Sequence, residues 1–214
     1  MRRRLLAAPF AIWGLVALPA GAASLVTNGS FETATINPGG GFLAVLPGDT
    51  TSIPGWEVFQ DNVHYIGTFW QASDGIRSID LDGTVGAAGG VRQTFATVPG
   101  QTYLVSFDLA GNPLGAPAIK PMRVSADGQS ADFQFDVTGR SQAHMGYASK
   151  TWSFVADDAS ATLSFLSLNP ANIAGWGAVI DNVAVTAVPE PSALALALGG
   201  LVGLALRARA RPSR

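Results

Sequence analysis

Cysteine is absent from the chain, and basic residues are scarce in its central part. Without cysteine no disulfide can stabilise the fold, which must then be held by its own core, with or without the help of a metal. Between Ser24 and Ala187 there are six lysines and arginines against 14 aspartates and glutamates, a net charge of about −8. This segment cannot assemble the basic face that phosphate binding needs, so we expect no nucleic-acid partner.

The same segment has no convincing amphipathic helix, which excludes the crossover helices of a parallel α/β fold. Short runs of alternating apolar and polar residues recur instead between clusters of glycine, proline, asparagine and aspartate. About ten such runs predict an all-β, two-sheet antiparallel sandwich of the jelly-roll type. Pro99-Gly100 predicts a hairpin turn between two of these strands. The predicted strands are Ser52 to Phe59, Asn62 to Ile66, Ile76 to Leu81, Val91 to Thr97, Thr102 to Leu109, Pro121 to Ala126, Asp132 to Val137, Lys150 to Val155, Ala161 to Leu168 and Ala178 to Thr186.

Both ends of the chain differ from this middle part. Residues 1–23 combine a basic start, an apolar run and small residues up to Ala23, which predicts a helical signal peptide that is cleaved after export. An N-terminal membrane anchor is the alternative, but the apolar run is shorter than the roughly 20 residues that span a bilayer. Residues 188–214 combine Val188-Pro189-Glu190-Pro191, the apolar run Ala193 to Leu206 and four arginines. They predict a helical sorting or anchoring segment, which leaves residues 24–187 as the mature domain.

A series of short motifs runs through this domain: Asn28-Gly29-Ser30-Phe31-Glu32, Ile53-Pro54-Gly55-Trp56-Glu57-Val58, His64-Tyr65-Ile66-Gly67, Trp70-Gln71-Ala72-Ser73-Asp74-Gly75, Ser78-Ile79-Asp80-Leu81, Gln93-Thr94-Phe95, Phe107-Asp108-Leu109-Ala110-Gly111-Asn112-Pro113 and Asp181-Asn182-Val183. Together they resemble the choice-of-anchor C family, a bacterial exported domain. A more distant resemblance is to plant cell-wall proteins with a galactose-binding-domain-like jelly roll. The resemblance covers nearly all of Ser24 to Thr186 and implies that fold.

The tail resembles the PEP-CTERM sorting signal, whose short motif matches Pro189, Glu190 and Pro191. This resemblance implies a Gram-negative host, an exosortase as processing enzyme and an inner-membrane intermediate held by the C-terminal helix. It also implies delivery to the cell surface or an exopolysaccharide matrix. The alternative is a plain C-terminal membrane anchor, although the glycine-interrupted apolar run is a short and weak span.

Glu32 and Asp181 are the predicted metal ligands. Counting two residues per repeat places Asp181 on the same face as Val179, Val183 and Val185, which we expect to face the core. A buried carboxylate needs compensation, and oxygen ligands suit calcium, with backbone carbonyls near Asn28 and Ser30 completing the site. The alternative is that both carboxylates accept hydrogen bonds from loop amides. Asp80-Leu81-Asp82-Gly83 lacks most ligand positions of a calcium loop and is predicted to be a solvated turn.

The predicted sugar-binding residues are Trp70, Gln71, Asp74 and Arg77. Trp70 precedes a polar loop, where an exposed ring could stack on a sugar while the polar side chains bond its hydroxyl groups. The alternative is that Trp70 only plugs one end of the sandwich.

Catalytic motifs are lacking: there is no nucleophile elbow, no phosphate loop and no zinc-binding histidine spacing. We therefore expect a non-catalytic domain that binds polysaccharide. A structural or adhesive matrix protein and a glycoside-active enzyme are the alternatives.

Overall fold

The computed structural model describes residues 23–84, 88–170 and 175–189. The predicted helical signal peptide, all of the tail beyond Pro189 and the helix expected there lie outside these ranges. Within them, no helix is long and apolar enough to cross a membrane.

Eleven β-strands form the domain, and ten of them coincide with or overlap the predicted strands. Their bounds are β1 Phe42–Val45, β2 Glu57–Phe59, β3 Val63–Ile66, β4 Ser78–Asp80, β5 Gly90–Ala96, β6 Thr102–Gly111, β7 Ile119–Ala126, β8 Gln129–Asp136, β9 Ala148–Val155, β10 Ser160–Ser167 and β11 Ala178–Ala187.

The strands pair antiparallel in two sheets, which confirms the all-β jelly-roll sandwich. One sheet has six strands in the order β1-β3-β4-β11-β6-β9, and the other has five in the order β2-β5-β10-β7-β8. The predicted hairpin at Pro99-Gly100 is wrong, because β5 and β6 belong to different sheets. The turn carries the chain from one sheet to the other, and β5 and β6 each pair with strands that are distant in sequence.

Alternation along the strands builds the core between the sheets. On β6, Phe107 points toward the other sheet, where its ring lies 5.2 Å from that of Phe165 on β10. Leu109 and Val105 share this inner face and are fully buried. The intervening Asp108 therefore points to the outer face of the six-stranded sheet.

Candidate functional site

A cleft of about 180 Å³ opens on the outer face of the six-stranded sheet, near its β1 edge. Strands β1 and β3 form its floor, and the loops that follow β3, β4 and β6 and precede β11 form its walls. Its lining is mostly aromatic or aliphatic, with a few neutral polar side chains. The lining residues are Phe42, His64, Ile66, Phe69, Trp70, Thr84, Asn112, Leu114, Gly175 and Trp176.

Strand register brings the floor residues together. Phe42 pairs with Ile66 across β1 and β3, and His64 lies on the same face two residues earlier. The Phe42 ring lies 4.5 Å from the His64 ring and 5.4 Å, edge-on, from the Phe69 ring, measured between centroids. The floor is therefore a continuous aromatic surface.

Two of the aromatic residues in this cleft are open to solvent. Phe42 retains 45% and Trp176 retains 42% of its accessible surface. In the described part of the chain, no other aromatic residue is classed as exposed. The Trp176 ring lies so close to Gly115 that a Cβ at that position would overlap it. Glycine at position 115 thus lets the indole lie against the backbone.

His64 and Asn112 supply polar groups to the lining, and both are held in place. His64 Nε2 lies 2.8 Å from Thr84 Oγ1, and burial lowers the pKa of His64 to about 4. The imidazole is therefore neutral at neutral pH. Asn112 Nδ2 donates to Asp80 Oδ2 at 3.0 Å and to the Gly175 carbonyl at 2.6 Å.

A buried ionic network lies beneath this cleft. Asp80, Asp82 and Lys120 have no accessible surface. Lys120 Nζ donates to the carbonyls of Gly115 at 2.7 Å and Trp176 at 2.8 Å. Asp80 Oδ1 accepts from the backbone N–H of Gly177 at 3.0 Å. These bonds fix the backbone at Gly115 and at Trp176 and Gly177 from beneath the cleft.

Burial shifts the pKa values of this network in the direction that opposes charge. It raises the pKa of Asp80 to about 7, because desolvation outweighs the hydrogen bonds that it accepts. Burial also raises the pKa of Asp82 and lowers that of Lys120. The opposite charges partly offset these shifts at Asp82 and Lys120. The expectation that Asp80 to Gly83 form a solvated turn is wrong, because Asp80 and Asp82 are fully buried. Their counter-charge comes from Lys120 on β7 rather than from solvent.

The four predicted sugar-binding residues do not meet in one exposed patch. Trp70 is only 5% exposed, and its Nε1 donates to Ser78 Oγ at 2.9 Å. The expectation of an exposed Trp70 ring is therefore wrong, although Trp70 lines the cleft. Gln71, Asp74 and Arg77 are absent from the lining among the described residues.

The predicted metal ligands both hold the loop between β3 and β4. Asp181 Oδ2 accepts from the backbone N–H groups of Ser73 and Asp74, both at 2.8 Å. Glu32 Oε1 accepts from the N–H of Ile76 at 2.8 Å and of Arg77 at 2.7 Å. This is the geometry of the alternative expectation, in which loop amides compensate the carboxylates. No group of three or more histidine, aspartate or glutamate side chains placed to hold a metal occurs within the described ranges.

Asp181 does not face the core, which corrects the prediction from period-two counting. It pairs with Asp108 on the outer face, whereas Val185 pairs with the inward-facing Val105. A bulge between Asp181 and Ala184 reverses the alternation, and Asn182 at φ +50° lies within it. Asp181 is nevertheless completely buried, because the β3–β4 loop covers it. Burial raises its pKa to about 7.

The signal for the cleft was weak in the sequence. Trp176 lies between Gly175 and Gly177. Flanking glycines predict a loop, but they do not predict which residues the indole ring contacts. Of the predicted sorting residues, Pro189 is the last described residue, and Glu190 and Pro191 lie outside the described ranges.

Comparisons with known proteins found relatives by sequence and by structure. Halomucin from Haloquadratum walsbyi (strain DSM 16790 / HBSQ001) is 29% identical over 170 residues, which is 78% of this chain and 2% of Halomucin. The chain thus spans a very small part of that relative. Among solved structures, the family 61 carbohydrate-binding module TmCBM61, in complex with β-1,4-galactotriose, is 14% identical. The match covers 78% of this chain and all of that chain, with a TM-score of 0.46.

The CBM22-1 xylan-binding domain of Paenibacillus barcinonensis Xyn10C is 16% identical, and the match covers 80% of this chain and 99% of that chain with a TM-score of 0.46. A family model described as "Protein of unknown function (DUF642)" matches residues 24–186, which is nearly the whole of the described sandwich. The chain therefore belongs to the DUF642 family.

Proposed function

We propose that this chain is an exported, non-catalytic domain that binds polysaccharide through the cleft on the outer face of the six-stranded sheet. The observation that carries the proposal is that the two exposed aromatic rings of the described chain, Phe42 and Trp176, both line that cleft. Solvent-exposed aromatic surface has a free-energy cost unless a partner covers it, and the apolar face of a sugar ring is such a partner.

The polar groups of the cleft fit the same ligand. Ligand sites are mostly apolar with a few placed polar groups that set orientation. The neutral His64 imidazole and the Thr84 hydroxyl lie beside the rings and can exchange hydrogen bonds with sugar hydroxyl groups. Their position is fixed by β3 and by their mutual contact, so little ordering cost is added on binding.

Binding assays with residues 24–187 test this proposal. A glycan array and polysaccharide pull-downs are expected to show saturable binding that Trp176→Ala and Phe42→Ala each weaken about tenfold or more. Phe59→Ala is the matched control, because Phe59 is half-buried on β2 of the other sheet. Thermal melts of each variant separate a lost contact from a lost fold.

Absence of binding across neutral and acidic glycans would contradict the proposal and favour a structural or adhesive matrix protein. Release of reducing ends from any bound polysaccharide would instead favour a glycoside-active enzyme. The choice between these outcomes needs no knowledge of the natural ligand.

Export and sorting form a separate part of the proposal. Residues 1–23 act as a signal peptide, and Pro189, Glu190 and Pro191 mark the tail for an exosortase while its apolar run holds an inner-membrane intermediate. Release then places the domain at the cell surface or in the extracellular matrix. Mass spectrometry of the mature protein is expected to find a C-terminus near Pro189, and an intact Arg214 would overturn the sorting part without affecting the binding part.

A further inference from the structure

We infer that the cleft selects uncharged sugar units and rejects both uronic acids and free amino sugars. This inference rests on the proposed function and names the ligand class for the same site. It follows from the charges that the structure brings to the cleft and from those that it keeps away.

No side chain in the described lining carries a full charge at neutral pH. The lining contains one titratable residue, His64, whose low pKa keeps the ring neutral. The other polar side chains are the hydroxyl group of Thr84 and the amide of Asn112. A ligand carboxylate that enters this cleft loses water and gains no cation, which is a large free-energy cost.

The nearest ammonium group cannot supply that cation. Lys120 is fully buried, and its Nζ already donates to the carbonyls of Gly115 and Trp176. The electrostatic attraction of Asp80 and Asp82 to this ammonium opposes the lowering of its pKa by burial. The Lys120 ammonium is therefore bonded within the protein beneath the cleft and cannot pair with a ligand carboxylate.

The remaining basic side chains of the domain lie elsewhere. Two arginines form ion pairs on the five-stranded sheet, and none of the five lines the cleft within the described ranges. Arg77 stacks 5.7 Å from the centre of the Tyr65 ring and donates to Asn37. The other basic residues of this group are Arg92, Arg123, Arg140 and Lys150.

A cationic sugar finds no better partner. The two carboxylates of the buried network beneath the cleft, Asp80 and Asp82, have no accessible surface. Asp80 is satisfied by Asn112 and by backbone N–H groups of Gly177 and Asp82. An ammonium group on the ligand would remain unpaired above them, so the cleft favours hydroxyl and acyl groups over charged groups of either sign.

Matched acidic and neutral forms of one polysaccharide give the sharpest test. Acidic polysaccharides and amine-bearing polysaccharides are compared with the same samples after reduction of the carboxyl groups to alcohols or acetylation of the amines. Residues 24–187 are expected to bind at least one neutral form at least about tenfold more tightly than its charged parent, equivalent to about 1.4 kcal/mol. This binding should be nearly independent of NaCl concentration.

A charge placed at the mouth of the cleft separates local chemistry from the acidity of the whole domain. Leu114 is 52% exposed at the mouth, so Leu114→Lys is expected to raise binding of an acidic form several-fold, while Leu114→Met does not. Binding of a charged parent that equals or exceeds that of its neutral form and is lost in Trp176→Ala would overturn the inference while leaving the proposed function intact. Absence of binding to every form would overturn both.

Discussion

Replacement of Lys120 by methionine is the most informative single change in the buried network beneath the cleft. Methionine nearly preserves the length and flexibility of the stem, which occupies an inward-facing position of β7 beside Met122 and Val124. The change therefore removes the ammonium group with little change in packing volume. It leaves Asp80 and Asp82 without their buried counter-charge and the Gly115 carbonyl without its donor.

The expected loss of stability is large. Removing one partner of a buried ion pair costs about 3–5 kcal/mol. We expect a loss of this order here, because Lys120 is the counter-charge that acts on Asp80 and Asp82 and the donor to two carbonyls. A domain of this kind has a total stability of about 5–15 kcal/mol. For its size, the loss corresponds to a fall in melting temperature of about 6–20 °C. The cost should be smaller at about pH 5 than at about pH 8, because protonation of the carboxylates removes the unpaired charge.

Urea unfolding of residues 24–187 at both pH values measures this effect. Lys150→Met is the matched control, since Lys150 is the only other lysine of the chain and is half-buried on β9. That variant is expected to change the free energy of unfolding by less than about 0.5 kcal/mol. A loss below about 1 kcal/mol for Lys120→Met, or a loss that is the same at both pH values, would refute the assignment of Lys120 as the counter-charge.

Three further changes probe the site and the loop that covers Asp181. The pKa of Asp181 is raised to about 7 from 3.8, so the folded state binds this proton more tightly and stability falls as pH rises from about 4 to 7; Asp181→Asn should flatten that fall in urea midpoints. Gly115→Ala should displace Trp176 and weaken glycan binding in pull-downs, whereas Gly40→Ala, where a Cβ would make only an ordinary contact with Thr68 Oγ1 at 3.9 Å, should not. Melts with calcium and with a chelator should coincide, because amides already compensate Glu32 and Asp181; a calcium-dependent rise in midpoint that Asp181→Asn abolishes would instead support the calcium site.

The sandwich was predictable because strand alternation and turn residues are local signals. The one strand that was not predicted is β1. It is short, follows Gly39 to Gly41 and has three of its four residues exposed, so its sequence favours a loop. The hairpin failed for a different reason. Pro99-Gly100 specifies a turn, but pairing depends on partners distant in sequence: β5 pairs with β2 and β10, and β6 pairs with β9 and β11.

The error at Asp181 comes from one inserted residue, which interrupts the two-residue alternation of side chains along β11. Counting by two is valid on either side of Asn182, but the bulge there exchanges the faces. The prediction that Asp181 is buried and needs compensation survives this error. Its compensation comes from the amides of Ser73 and Asp74, which reach it from a loop that the sequence places far away.

The cleft depends on which aromatic rings stay exposed, and polar contacts position these rings as well as apolar packing does. Trp70 has polar neighbours in the β3–β4 loop yet is buried, whereas Trp176 is 42% exposed and Lys120 donates to its carbonyl. The Lys120 ammonium that holds the Trp176 backbone is the cation that a ligand carboxylate would need. Because it is already bonded to the protein, it cannot also pair with the ligand. Lys120→Met should therefore weaken binding of a neutral glycan by loosening Trp176, and should give no gain in binding of the acidic form. Unchanged binding of the neutral glycan by the folded variant would refute this role of Lys120.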